Sequence, residues 1–134
     1  MPCSLVPSGM VDQVWPHIAE GMATGCRRSG GDLYPGWLWT QCRTGNAFLF
    51  IAATDEAVQG ASVWQFETWP NGPRFRCLMA AGKGMGVWFA DMRQKVEETA
   101  RQGGAVALVS DGRTGWERHL PKARKLRTLF EEPL

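Results

Sequence analysis

The spacing of apolar and polar positions divides the chain into a helical first third, a block of strands, one long helix and a mixed C-terminal segment. Residues 4–7 predict a short first strand. Val11, Val14, Trp15, Ile18 and Met22 then recur at helical spacing and make one apolar stripe. Pro16 interrupts that stripe. A helix accommodates proline in its first turn, so the regular helix is predicted to begin just before it. Residues 25–31 contain glycine and basic side chains and predict a loop. Asp32 is placed to cap a second helix with Pro35 near its first turn. Trp37, Leu38, Trp39 and Cys42 supply its buried side, and Gly45-Asn46 stops it.

Residues 47–53 are continuously apolar, as a central strand requires. Residues 61–69 alternate, with Val63, Gln65 and Glu67 opposed to Trp64, Phe66 and Thr68. Residues 70–73, Pro-Asn-Gly-Pro, signal a hairpin, from which a strand over 74–81 runs back. The best helix covers 86–102. Trp88 or Phe89, Met92, Val96 and Ala100 form its stripe, while Arg93, Lys95, Glu97 and Glu98 face out. Gly103-Gly104 ends it, and 105–110 is an apolar strand. Strand, loop, helix, strand at this length is a βαβ crossover, so the strands over 74–81 and 105–110 should be parallel. A loop over 111–115, a short helix over 116–120 cut by Pro121, and a last strand over 126–131 complete the prediction.

Between strand and long helix stand three alternating glycines, Gly82, Gly84 and Gly86. Alternate glycines let backbone N–H groups converge without interference from Cβ atoms. The helix behind them adds unpaired N–H groups and the positive end of its dipole. Such a loop is either a tight turn or a seat for a phosphate or pyrophosphate.

The composition narrows the function classes. A chain of 134 residues with 44% hydrophobic and 21% charged residues has room for one domain with a sizeable core. No apolar run of about eighteen residues predicts a membrane helix, and the N-terminus does not read as a secretory signal. Cys3, Cys26, Cys42 and Cys77 form no C-x-x-C pair, which fits reduced, mostly buried thiols in a cytoplasm rather than zinc or a disulfide framework. Nothing points to a metal. A net charge of +2 is too small to argue for nucleic acid. Seven tryptophans against one tyrosine supply core anchors or the walls of a groove.

The element order resembles the GNAT N-acetyltransferase superfamily. Residues 81–86 resemble its acetyl-CoA signature, Gln/Arg-x-x-Gly-x-Gly/Ala, with agreement at Gly84 and Gly86 and a departure at Ala81. Within that superfamily the chain is most similar to short GNAT-like proteins carried by bacteriophages and prophages, through residues 14–18, 45–49, 60–63 and 112–116. The resemblance implies a single α/β domain over 1–134, with a mixed, mostly antiparallel sheet, a βαβ crossover and about four helices. It implies acetyl-CoA as co-substrate, in a slot where the two parallel strands splay near Met79 and Ala80. Backbone groups of Leu78, Met79 and Ala80 would hold the pantetheine. The N–H groups of Gly82, Lys83, Gly84, Met85, Gly86 and Val87 would hold the pyrophosphate, and Arg113 the ribose phosphate. Acetyl would pass directly to an unknown amine, on a small molecule or a protein, in a cytoplasm. The same resemblance admits a catalytically degenerate module that binds a phage or host protein, in host cytoplasm or virion.

The resemblance also directs attention to acids and bases. His119 falls about where active members carry a tyrosine general acid, and imidazole suits that task near neutral pH; the alternative is a histidine at a helix end. Glu67 would accept a proton through water, or is a solvent-facing carboxylate. The strand over 74–81 carries no acid, although several active members keep a glutamate there. His17 reads as structural, Tyr34 as a candidate for acceptor binding, and Cys77 as core rather than an acyl-accepting thiol. Arg113, Arg118, Lys122, Arg124, Lys125 and Arg127 form the one basic concentration. It lines a phosphate site, meets an acidic partner or nucleic acid, or is a solvated face. An open sheet edge or the tryptophans would support a homodimer.

Overall fold

The computed structural model describes residues 2–112 and 118–134. In chain order it contains β1 (Cys3–Val6), α1 (Val11–Val14), α2 (Ala19–Arg28), α3 (Pro35–Arg43), β2 (Phe48–Ala53), β3 (Val58–Trp69), β4 (Gly72–Gly82), α4 (Met85–Gln102) and β5 (Ala107–Ser110). Short 3₁₀ turns at Ser8–Met10 and Trp15–His17 flank α1. The strands form one sheet in the order β1-β2-β3-β4-β5. Neighbours run antiparallel except β4 and β5, which are parallel and joined by α4. This is the expected mixed, mostly antiparallel α/β architecture with a βαβ crossover.

Strand periodicity gives the sheet two apolar faces. On one face Leu49, Ala61, Val63 and Met79 meet Val11, Ile18, Met22 and Cys26 of the N-terminal helical segment and Leu38 and Cys42 of α3. On the other, Phe50, Ala52 and Phe75 meet Trp88, Met92, Val96 and Ala100, the stripe read from the sequence of α4. Phe75 is the hub of that second core. Phe66 lies 4.4 Å from it and Trp64 5.5 Å, centroid to centroid, and Phe48 and Phe50 meet it edge-on.

Four expectations change. Pro16 does not start the regular helix: it sits in a 3₁₀ turn that separates α1 from α2. Residues 25–28 are helical rather than loop, because Gly25 is there for close approach. A side chain on it would press into the Sδ of Met79 on β4, at 2.7 Å from its Cβ. Asp32 does not cap α3; Tyr34 occupies that position and makes no side-chain capping bond. Residues 126–131 join no strand, and their apolar side chains point to solvent. Residues 116 and 117 of the helix predicted over 116–120 lie outside the described residues; Arg118 and His119 lie in a 3₁₀ turn.

Phe75→Ala would open a cavity beneath four aromatic neighbours. We expect a loss of about 3–5 kcal/mol, read as a lower midpoint in urea melts. An unchanged midpoint would remove Phe75 from its place at the centre of this core.

Candidate functional site

The site begins with a bulge. Val63 pairs with Met79, but Trp64 pairs with Cys77, so Leu78 is an extra residue in β4. A bulge bends its strand and shifts the alternation of side chains. Phe75, before it, packs under α4, whereas Met79, after it, packs under α2. Pairing with β5 ends at the same point, with Cys77 opposite Ser110. Leu78, Met79 and Ala80 therefore keep β3 on one side, and no described strand lies on their other side. That open backbone edge begins one residue before the expected divergence at Met79.

The glycine loop follows. Gly84 has φ +67 and caps α4 without any side-chain bond. A left-handed conformation at this point aims the first-turn N–H groups outward, and glycine adopts it at no steric cost. A methyl group at Gly84 or Gly86 would touch nothing within 4 Å, so both face open space. No acidic side chain stands in the first turn of α4. Two of the six expected anion donors are already engaged. The Lys83 N–H donates to the Gln59 carbonyl at 2.9 Å, and the Val87 N–H to the Gly84 carbonyl at 2.8 Å. The N–H groups of Met85 and Gly86 have no intrahelical acceptor by their position. Of the six expected donors, Gly82, Gly84, Met85 and Gly86 are left, and Gly82 lies in the ladder opposite Gly60 of β3.

Trp88 braces this loop. Its indole N–H donates to the Lys83 carbonyl at 2.7 Å, and its ring is buried beneath α4. The ring lies flat on Gly60 of β3, where any Cβ would fall inside it. Beside the loop, between α2 and the ends of β3 and β4, a shallow cavity of about 260 Å³ is flanked by His17, Gln59 and Lys83.

A charged cluster lies where β4 and β5 part. The Arg76 Nε donates to Glu67 at 2.8 Å, and its NH1 donates to Asp111, also at 2.8 Å. The Trp69 indole donates to the other Glu67 oxygen at 3.0 Å. Burial raises the Glu67 pKa, but the bonds from Trp69 and Arg76, with the charges of Arg76 and Arg127, outweigh it and hold the carboxyl below its ordinary value. A carboxylate so engaged is a poor proton acceptor, which counts against the water-mediated base role expected of Glu67. Loss of solvation pushes the Cys77 thiol up to about 12, so it stays protonated and is no acyl acceptor. The His119 ring lies 5.5 Å from that of Phe89 in the second turn of α4, with Arg118 Nε 3.4 Å from its Nε2. Tyr34 is exposed at the start of α3. Arg113, expected at the ribose phosphate, lies outside the described residues. Gln59 and Arg76 escape the sequence reading, and Trp88 enters it only as part of the α4 stripe, because a strand arginine or helix tryptophan carries no motif until its partners are known.

No protein-family model and no curated protein matches this sequence. Solved structures do match across nearly the whole chain. A GCN5-related N-acetyltransferase from Ralstonia eutropha JMP134 shares 17% identity at a TM-score of 0.66, covering 99% of this chain and 97% of that one. A ribosomal-protein-alanine N-acetyltransferase from Brucella melitensis biovar Abortus 2308 gives 12% and 0.67, with both chains covered in full. An aminoglycoside acetyltransferase from an uncultured soil metagenomic sample, in complex with sisomicin, gives 9% and 0.68, covering 99% and 95%. The fold is therefore that of the GNAT acetyltransferases; at these identities the likeness is one of architecture.

Two substitutions test the construction of the site. Gly60→Ala should displace the Trp88 ring and cost about 1–3 kcal/mol in thermal melts; a neutral result would show that the ring is not wedged there. Glu67→Gln should cost about 1 kcal/mol at neutral pH, a charged hydrogen bond discounted for partial exposure. Because the folded pKa of Glu67 lies below its unfolded value, its contribution is present above about pH 4.5 and is lost as pH falls through the folded value. The variant should therefore match the parent in acid and fall below it at neutral pH. A stability difference that ignores pH would refute the ionic account.

Proposed function

We propose that this protein is an acyl-CoA-dependent N-acyltransferase whose slot opens between β4 and β5. The observation that carries the reading is the succession of three features at the end of β4 and the start of α4. The β4 bulge, the end of its pairing at Cys77 and Ser110, and the left-handed Gly84 cap of α4 follow one another within eight residues, 77–84.

Bound acetyl-CoA supplies the acyl group as a thioester. The N–H groups of residues 84–86 hold its pyrophosphate, helped by the dipole of α4. The open edge at Leu78, Met79 and Ala80 hydrogen-bonds the pantetheine as an added strand would. A backbone N–H on that edge polarises the acyl carbonyl and stabilises the charge that develops on its oxygen. The neutral acceptor amine attacks that carbon, and the C–S bond breaks. His119, held against Phe89 near the start of α4, gives a proton to the departing sulfur, and the nitrogen loses its extra proton to water. Glu67 serves to hold Arg76 between β3 and β5. Arg113 is assigned to the ribose phosphate, and Lys83 adds positive charge at the loop.

A second reading, a degenerate module that binds a phage or host protein, is favoured by one observation. The slot-facing stretch of β4 carries no acid, and Glu67, the expected base, is tied to Arg76 and Trp69.

Calorimetric titration with acetyl-CoA, paired with thermal melts, separates the two. Saturation at a hundred times the dissociation constant should add about 2.7 kcal/mol of stability. Gly84→Asp should abolish binding by placing a carboxylate in the anion seat, whereas Gly84→Asn, which tolerates the left-handed conformation, should retain it. No stabilisation at millimolar acetyl-CoA would sink the transferase reading. With an active acceptor found among aminoglycosides or peptide N-termini, His119→Ala should lower kcat about 100-fold with little change in acetyl-CoA affinity. An unchanged kcat would return His119 to a structural role.

A further inference from the structure

Small residues leave a gap where α2 crosses the ends of β3 and β4. Ala61 stands opposite Ala81 in the ladder. A Cβ on Gly21 of α2 would lie 3.4 Å from that of Ala81, so α2 rests on β4 there without filling the space beside it. That space is the cavity of about 260 Å³ on the α2 face of the sheet. Its floor is apolar: Ala61 and Met22 are buried, and Ala81 is half-buried. Its rim is polar. The Lys83 N–H bond to the Gln59 carbonyl falls one step past the Gly60 and Gly82 pair, so Gln59 and Lys83 are cross-strand neighbours. Side chains alternate along a strand, which puts both on the face of Ala61 and Ala81. His17, at the end of the 3₁₀ turn before α2, completes the rim. Among the described residues no carboxylate lines this cavity and Lys83 forms no ion pair. Nor do the side chains of Gln59 and His17 make a hydrogen bond to a described residue.

We propose that this cavity is a binding site for a small monocarboxylic acid, separate from the acyl-CoA slot. The alkyl chain lies on the floor of Ala61, Ala81 and Met22, where it leaves water for apolar surface. The carboxylate meets the Lys83 ammonium and accepts hydrogen bonds from the Gln59 amide and the His17 imidazole. One ammonium with two further donors above an apolar floor matches an amphiphilic monoanion. Inorganic phosphate would leave that floor bare. The volume falls just below the range of about 300–1,000 Å³ usual for small-molecule sites, which limits the ligand to a few carbons. A site of this make-up, mostly apolar with a few polar groups at one end, orients its ligand as well as holding it. The inference does not depend on acyl transfer. The slot opens on the β5 side of β4, whereas this cavity lies beneath α2, and only the glycine loop is common to both.

The test is titration of the isotope-labelled full chain with sodium acetate, butyrate and hexanoate at constant ionic strength, followed by amide NMR shifts. Hexanoate should saturably shift the backbone amides of residues 59–61 and 81–83 and the side-chain amide of Gln59. Each added CH₂ should tighten binding about fourfold. Lys83→Gln should weaken hexanoate about tenfold, a charged contact discounted for exposure, and Gln59→Ala should weaken it as well. Lys83 is exposed, so its variant should keep the melting curve of the parent. The proposal fails if hexanoate gives no saturable shift, or if hexanol or inorganic phosphate binds as well as hexanoate. Displacement of hexanoate by acetyl-CoA would also overturn it, by making the cavity part of the coenzyme site. Failure of acetyl-CoA to bind anywhere would sink the transferase reading and leave the hexanoate shifts as expected.

Discussion

The single extra residue in β4 is the constraint on which the rest of the structure depends. β4 must pair antiparallel with β3 along its whole length and parallel with β5 along its first half only. Leu78 makes both possible. By adding one residue against β3 it moves the following side chains to the opposite face and bends the strand away from β5. Both cores depend on that switch. Phe75 completes the aromatic cluster under α4, and Met79 completes the aliphatic cluster under α2. An unbulged strand would send one of these two large side chains to the wrong layer.

The same switch opens one edge of β4. Past Cys77 its backbone has a hydrogen-bonding edge with no described strand beside it. The strand then enters the glycine loop, and the loop enters α4, so an open edge and a helix N-terminus are joined rigidly. Trp88 secures that joint from below. Its indole fixes the Lys83 carbonyl, and its ring rests on Gly60. The loop is held by a buried side chain rather than by its own conformational preference, which keeps its outward face clear.

Electrostatics are distributed accordingly. Fixed carboxylates stand where the strands part, at Glu67 and Asp111, with Arg76 between them. The start of α4 carries no acid. The cluster holds two carboxylates against one guanidinium, whereas the first turn of α4 holds no acid.

Most of the architecture was legible in the residues because it rests on periodicity. The stripe Trp88, Met92, Val96 and Ala100 could only be a helix face. Residues 47–53 could only be a central strand, and the crossover length dictated that β4 and β5 run parallel. The alternate glycines marked the loop. Local pattern failed where a residue's reason lay in a distant partner. Gly25 looked like a helix stop, but Met79 on β4 makes it a point of close approach. Glu67 looked like a free carboxylate, but Arg76 and Trp69 claim both its oxygens. The bulge at Leu78 has no local signature, since it comes from the register that β3 imposes. Residues 126–131 show the converse: their strand pattern is plain, yet a strand needs a neighbour, and the folded chain provides none. Sequence alone thus determined most of the helices and strands and where the glycine loop falls between β4 and α4. Tertiary structure decided which groups are paired around that loop, because pairing depends on partners far away along the chain.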